Sequence, residues 1–158
     1  MRTGVRVGID VGTVRIGVAR SDFHGMLATP VETVPRDRGA ATPTDLGRIA
    51  AIVAELDAVE VIVGLPLALS GRHTASTEDA VTFAETLALS VPVPVRLVDE
   101  RLSTVSAQAA LRTAGRSTRT QRPVVDQVAA TIILQHALDT ERASGKPAGT
   151  SVDQTGRP

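Results

Sequence analysis

Three short β-branched runs crowd the chain before Pro35, and their spacing restricts the fold more than any other feature. They span Val5 to Asp10, Arg15 to Arg20, and about Leu27 to Val34, separated by Gly12-Thr13 and by Asp22-Phe23-His24-Gly25. Runs of this kind split by Gly and Asp turns are hairpin signals, so they predict an antiparallel meander. The period then changes. Leu46, Ile49, Ala50, Val53 and Leu56 keep helical spacing and predict a helix from about Thr44 to Leu56, with Thr42 or Thr44 as N-cap beside Pro43. Val59 to Val63 reads as a strand closing on Gly64-Leu65-Pro66, followed by a loop to about Thr74 and a helix from Ala75 to Leu89. Val93 to Val98 is the next strand, and helices from Ser103 to Ala114 and from about Pro123 to Arg142 complete the pattern.

Strands separated by helices normally pair in parallel. The expectation is therefore one α/β domain, residues 1–142, on a mixed five-stranded sheet: three antiparallel N-terminal strands plus two parallel strands, flanked by helices. The stretch from Ala143 to Pro158 is Gly, Ser, Thr, Pro and charge, and predicts a disordered tail.

Composition removes several function classes. At 158 residues the chain is of single-domain size. It has no cysteine, which excludes disulfide scaffolds, thiolate zinc sites and cysteine nucleophiles. Phe23 and Phe83 are the only aromatics, so base-stacking platforms are not expected. No apolar signal segment follows Met1 to Gly4, and no run approaches the ~20 apolar residues of a membrane span, so a cytoplasmic protein with no membrane partner is expected.

The formal net charge is zero, yet its distribution is uneven. Arg96, Arg101, Arg112, Arg116, Arg119 and Arg122 face only Asp99 and Glu100 over that stretch, and Arg112 to Arg122 holds no acid at all. Such a run is either a solvated face or a patch that follows phosphates.

Three acids stand where chain direction changes. Asp10 closes the first strand ahead of Val11-Gly12-Thr13, one of the adjacent pair Asp99 and Glu100 can face the same point from the end of the Val93 to Val98 strand, and Asp126 lies in the first turn of the last helix. Each alone has a structural explanation: a turn residue, a helix start, or a partner for the helix dipole. Asp126, however, is followed by Ala129, Ala130 and Ile133, so its flank of the helix is small or apolar and packed. A packed acid needs a partner, and with Lys146 the only lysine that partner is an arginine or a divalent cation. Three carboxylates from two strand ends and a helix start would make a hard oxygen site for Mg²⁺ or Mn²⁺. His24, His73 and His136 have no metal-ligand spacing, and Ser103, Thr104 and Ser106 read as capping residues.

Four segments occur in order: Gly8-Ile9-Asp10-Val11-Gly12-Thr13 with Arg15-Ile16-Gly17-Val18-Ala19; Val63-Gly64-Leu65-Pro66-Leu67; Asp99-Glu100-Arg101-Leu102-Ser103-Thr104; and Val125-Asp126 with Ala129-Ala130 and Ile132-Ile133-Leu134. Together they resemble the YqgF/RuvX family, described as Holliday-junction resolvases and as pre-16S ribosomal RNA nucleases, over roughly residues 5 to 140. The resemblance implies an RNase H-like fold and places the family's acidic triad on Asp10, Glu100 and Asp126. It also implies a divalent metal and a structured nucleic-acid substrate, pre-rRNA or branched DNA, with ribosomal RNA maturation favoured. Gly64 to Gly71 would be a substrate-facing loop, although Leu67-Ala68-Leu69 replaces the polar Asn and Asp common there. Arg15, Arg101, Arg112, Arg116, Arg119 and Arg122 become the candidate phosphate contacts, and symmetric cutting of a junction would call for a homodimer.

Two other readings compete. Asp10-Val11-Gly12-Thr13 also resembles the phosphate turn of actin- and hexokinase-type ATP-binding proteins, but one domain supplies half of their clamp. A non-catalytic nucleic-acid-binding module would keep its binding without Asp10 or metal.

Overall fold

The computed structural model describes residues 1–39, 41–101 and 118–152, with the backbone alone for 118–124. The described elements are β1 (Arg6–Val11), β2 (Arg15–Ser21), β3 (Ala28–Pro35), α1 (Thr44–Glu55), β4 (Glu60–Leu65), α2 (Ala75–Ser90), β5 (Val95–Asp99), α3 (Thr118–Ser144) and β6 (Thr150–Val152). The helix expected from Ser103 to Ala114 lies outside the described residues.

The strands form one sheet in the order β3-β2-β1-β4-β5-β6. β1, β2 and β3 are the antiparallel meander, and β4 pairs in parallel with both β1 and β5. Strand alternation sorts the side chains between two faces. Val7, Ile9, Ile16, Val18, Val61, Val63, Val95 and Leu97 pack beneath α1 and α2 with Ile49, Ile52, Phe83 and Leu87. The intervening residues Ala19, Ile62 and Val98 meet α3 through Ala130, Ile133, Leu134 and Leu138. This is the architecture expected from the sequence, with α3 beginning before Pro123. No helix among the described residues is long and apolar enough to cross a membrane.

Two details correct the sequence reading. The sheet has six strands, not five, because the stretch read as a disordered tail contributes β6. It pairs antiparallel with β5, Val152 opposite Val95. Arg96 donates to the carbonyls of Ala148 and Gly149 at 2.7 Å each, and Ala148 and Val152 are buried. A strand of three residues with one buried apolar side chain leaves almost no hydrophobic pattern, so composition alone pointed to a tail.

The other correction concerns α1. Neither Thr42 nor Thr44 caps it; Pro43 holds the cap position without a side-chain acceptor. The carboxylate of Asp37 accepts instead from the Thr44 amide at 2.7 Å and from its hydroxyl at 2.9 Å. A cap contributed from upstream in the chain leaves no local sequence signature.

Candidate active site

Alternation along β1 sends Val7 and Ile9 under α1 and α2, and Gly8 and Asp10 to the α3 face. Asp10 is paired across the sheet with Gly17 of β2. A Cβ on Gly17 would overlap the backbone carbonyl of Asp126. The missing side chain thus lets the helix backbone lie directly on the strand beside Asp10, and that contact sets Asp126 near it.

Glu100 reaches the same face from β5. Val98 packs against α3, so alternation turns Asp99 away and Glu100 back toward the helix. Asp99 is exposed and held by Arg101, whose Nε lies 2.9 Å from Oδ2. The Glu100 amide donates to Leu65 O at 3.3 Å. Below its carboxylate lies Gly64, where a Cβ would overlap Oε2 of Glu100 and stand 2.7 Å from Ile133 Cδ1. Glu100 Oε2 is buried with no hydrogen-bond partner. The two strand acids and the helix acid therefore share one end of one sheet face.

The electrostatics follow from this crowding. Burial pushes the Asp10 carboxyl up to about 6, and the charge of Asp126 adds to the rise. Burial pushes Glu100 up to about 8, with Asp10 and then Asp99 contributing. Each carboxylate makes the next harder to ionise.

Asp126 has a cation already: Arg15 Nε donates to its Oδ2 at 2.9 Å. Among the described residues no three His, Asp or Glu side chains stand close enough together to hold a metal as they are. The donor set nevertheless suits a hard divalent cation: three carboxylates, one with a buried oxygen lacking any donor, over a floor where any Cβ would intrude.

The turn after Asp10 is fixed by groups the sequence reading did not single out. Arg36 donates to Gly12 O at 2.9 Å and grips Asp79 of α2 at 2.9 and 3.1 Å. Its Nε lies 3.6 Å from the buried Asp45, and its guanidinium stacks 5.4 Å from the Phe83 ring centroid. Arg38 donates to Thr13 O at 3.1 Å and to Asp79 at 2.9 Å. Arg36→Met should cost about 1–3 kcal/mol, because Asp79 keeps Arg38 and Asp45 keeps the Asp37 amide but both lose their shared guanidinium and the Gly12 carbonyl loses its donor. A urea midpoint matching wild type would remove this role. No sequence pattern joins Arg36, Asp45 and Asp79; Gly17 and Gly64, as glycines in strands, did carry a signal of close approach.

The arginines named as phosphate contacts fare unequally. Arg15 is engaged with Asp126, and Arg101 with Asp99 and with Leu69 O at 3.1 Å. Arg112 and Arg116, and the side chains of Arg119 and Arg122, lie outside the described residues. A cleft of about 380 Å³ is lined by Leu69, Asp99, Arg101 and His136, so the Gly64 to Gly71 loop contributes Leu69 to it. His24, His73 and His136 are exposed.

Comparison with known proteins agrees with this architecture. A protein of Leifsonia xyli subsp. xyli is 67% identical over 153 residues, covering 97% of both chains. One of Clavibacter michiganensis subsp. michiganensis is 64% identical over 152 residues, covering 96% of this chain and 93% of its own. Both are provisionally named as pre-16S rRNA nucleases. Among solved structures, T. thermophilus RuvC in complex with a Holliday junction substrate is similar, with a TM-score of 0.55 and 20% identity over 91% of this chain and 99% of that one. This is a likeness of fold, and the RNase H-like expectation holds. The model of the family RuvX, described as Holliday junction resolvase, matches residues 4–140, and the chain belongs to that family.

Proposed function

We propose that this member of a nuclease family is a divalent-metal-dependent endonuclease of the cytoplasm that hydrolyses phosphodiester bonds in structured nucleic acid. Asp10, Glu100 and Asp126 would hold its Mg²⁺ or Mn²⁺. The observation that carries this is Glu100 Oε2: a buried carboxylate oxygen without any donor, beside two further acids on the same face. A structural acid would be paired; a cluster left short of positive charge is suited to receive it.

A metal held by Asp10, Glu100 and Asp126 would supply activation of water and stabilisation of the leaving oxygen. The chain's own residues prepare for this. Gly17 and Gly64 let Asp126 and Glu100 close on Asp10, and Arg36 and Arg38 hold the turn behind Asp10 still. The burial that raises both strand acids also shuts water away from Oε2 of Glu100. Precursor 16S ribosomal RNA is the favoured substrate, supported by the names of the relatives. Branched DNA is the other, supported by the family description; symmetric cutting of a junction would require a two-fold pair of these sites, and hence a homodimer. Arg101, Arg112, Arg116, Arg119 and Arg122 would then contact the phosphates.

The test is cleavage of an end-labelled precursor 16S rRNA fragment and of a four-way DNA junction, side by side, in Mg²⁺, in Mn²⁺ and in EDTA. Cleavage of one substrate in metal alone is the expected result. Binding of both with cleavage of neither would replace the nuclease with a non-catalytic binding module.

A further inference from the structure

We infer that Arg15 is a stand-in cation that a metal must displace: in the metal-free protein its guanidinium occupies Asp126, and loading the site means exchanging that ion pair for the metal. This rests on the metal-nuclease reading above and adds to it how the site is kept before the metal arrives.

Arg15 opens β2, and its backbone is pinned because its carbonyl accepts from the Gly12 amide at 2.9 Å. Only the side chain is free to move, and it is 29% exposed, so it can leave toward solvent. It holds Asp126 through Nε alone, at 2.9 Å, and not through the two-pronged contact that makes arginine pairs tight. The ion pair is therefore strong enough to balance a carboxylate and weak enough to yield.

The charge around it supports the same exchange. Among the described residues Asp10 and Glu100 make no ion pair, and Asp126 makes one, with Arg15. Asp126 is also the acid whose charge bears on Asp10, so Arg15 sits where it relieves the crowding of the cluster. A divalent cation among the three acids would supply that relief more fully, and a guanidinium left against it would then be repelled.

Mn²⁺ binding in the absence of nucleic acid tests this, read from the loss of the free-ion electron paramagnetic resonance signal. Arg15→Gln should bind Mn²⁺ about fivefold more tightly than wild type, the weight of a partly buried ion pair removed from competition. Arg20→Gln, the same charge change on the same strand, should match wild type, and Asp126→Asn should bind much more weakly. Equal or weaker binding by Arg15→Gln overturns the inference and leaves the metal site standing. If neither wild type nor Arg15→Gln takes up Mn²⁺, the metal reading falls, and the inference with it. A second measurement needs no variant: the Arg15 Nε–H resonance of the wild-type protein should shift as Mg²⁺ is added. An unchanged resonance at saturating Mg²⁺ also overturns the exchange.

Discussion

Asp10→Asn is expected to abolish metal-dependent cleavage while making the metal-free protein more stable at pH 8. The loss should be roughly a thousandfold or more, about 4 kcal/mol of transition-state stabilisation, because the substitution removes the charge of a carboxylate proposed to hold the metal. The gain has the opposite origin. Asp10 is an acid whose pKa is raised to about 6 in the folded state, so the native protein holds this proton more tightly than the unfolded chain does. Stability therefore falls as pH rises from about 4 through 6, and above that the full penalty of a buried charge beside Asp126 is present. Asn carries no such penalty and also spares Glu100 one of the charges that raise it.

Thermal melts in EDTA should show a gain of about 1–2 kcal/mol for the variant at pH 8 and almost none at pH 4. Adding millimolar Mg²⁺ should then stabilise wild type and not the variant, since only a state that binds the ion gains from it. Retained cleavage would remove Asp10 from the site; a variant less stable than wild type at pH 8 in EDTA would show that Asp10 serves the fold.

The same logic explains which parts of this site were legible in the sequence. Asp10 and Asp126 stood out as acids beside apolar runs, Glu100 was singled out from its neighbour Asp99 by the family resemblance, and the antiparallel meander was readable from period and turn residues alone. Their convergence was not readable, since it depends on contacts that periodicity does not encode: α3 lying on Gly17, and Glu100 lying over Gly64. Arg15 illustrates the limit from the other side. The family resemblance suggested a phosphate contact for it, and only the fold reveals the carboxylate of Asp126 within its reach. The clamp of Arg36 on Gly12, Asp79 and Asp45 joins four stretches of chain with no common pattern, and β6 is held by backbone pairing and by Arg96, neither of which leaves a hydrophobic trace.

Gly17→Ala should be the most damaging single-methyl change in the sheet. The added Cβ meets the backbone carbonyl of Asp126, and a helix backbone cannot swing aside as a flexible side chain can. Relief requires α3 to lift from β2 along its contact with the strand, which loosens the packing of Ala130, Ile133 and Leu134 and carries Asp126 away from Asp10. Overpacking of this kind costs about 1–3 kcal/mol, and here the upper end applies because the obstacle is main chain. Activity should fall further than stability, since a displacement of about 1 Å in a ligand costs roughly a hundredfold in rate. Gly47→Ala provides the contrast. Gly47 lies in α1 with nothing within 4 Å of the new Cβ, so the same chemical change should stabilise the protein by about 0.5–1 kcal/mol and leave cleavage unaltered. Urea midpoints and cleavage rates of the two variants, measured together, separate close approach from helix propensity. Equal stability and activity in Gly17→Ala and wild type would mean that Asp126 does not depend on that contact for its place beside Asp10.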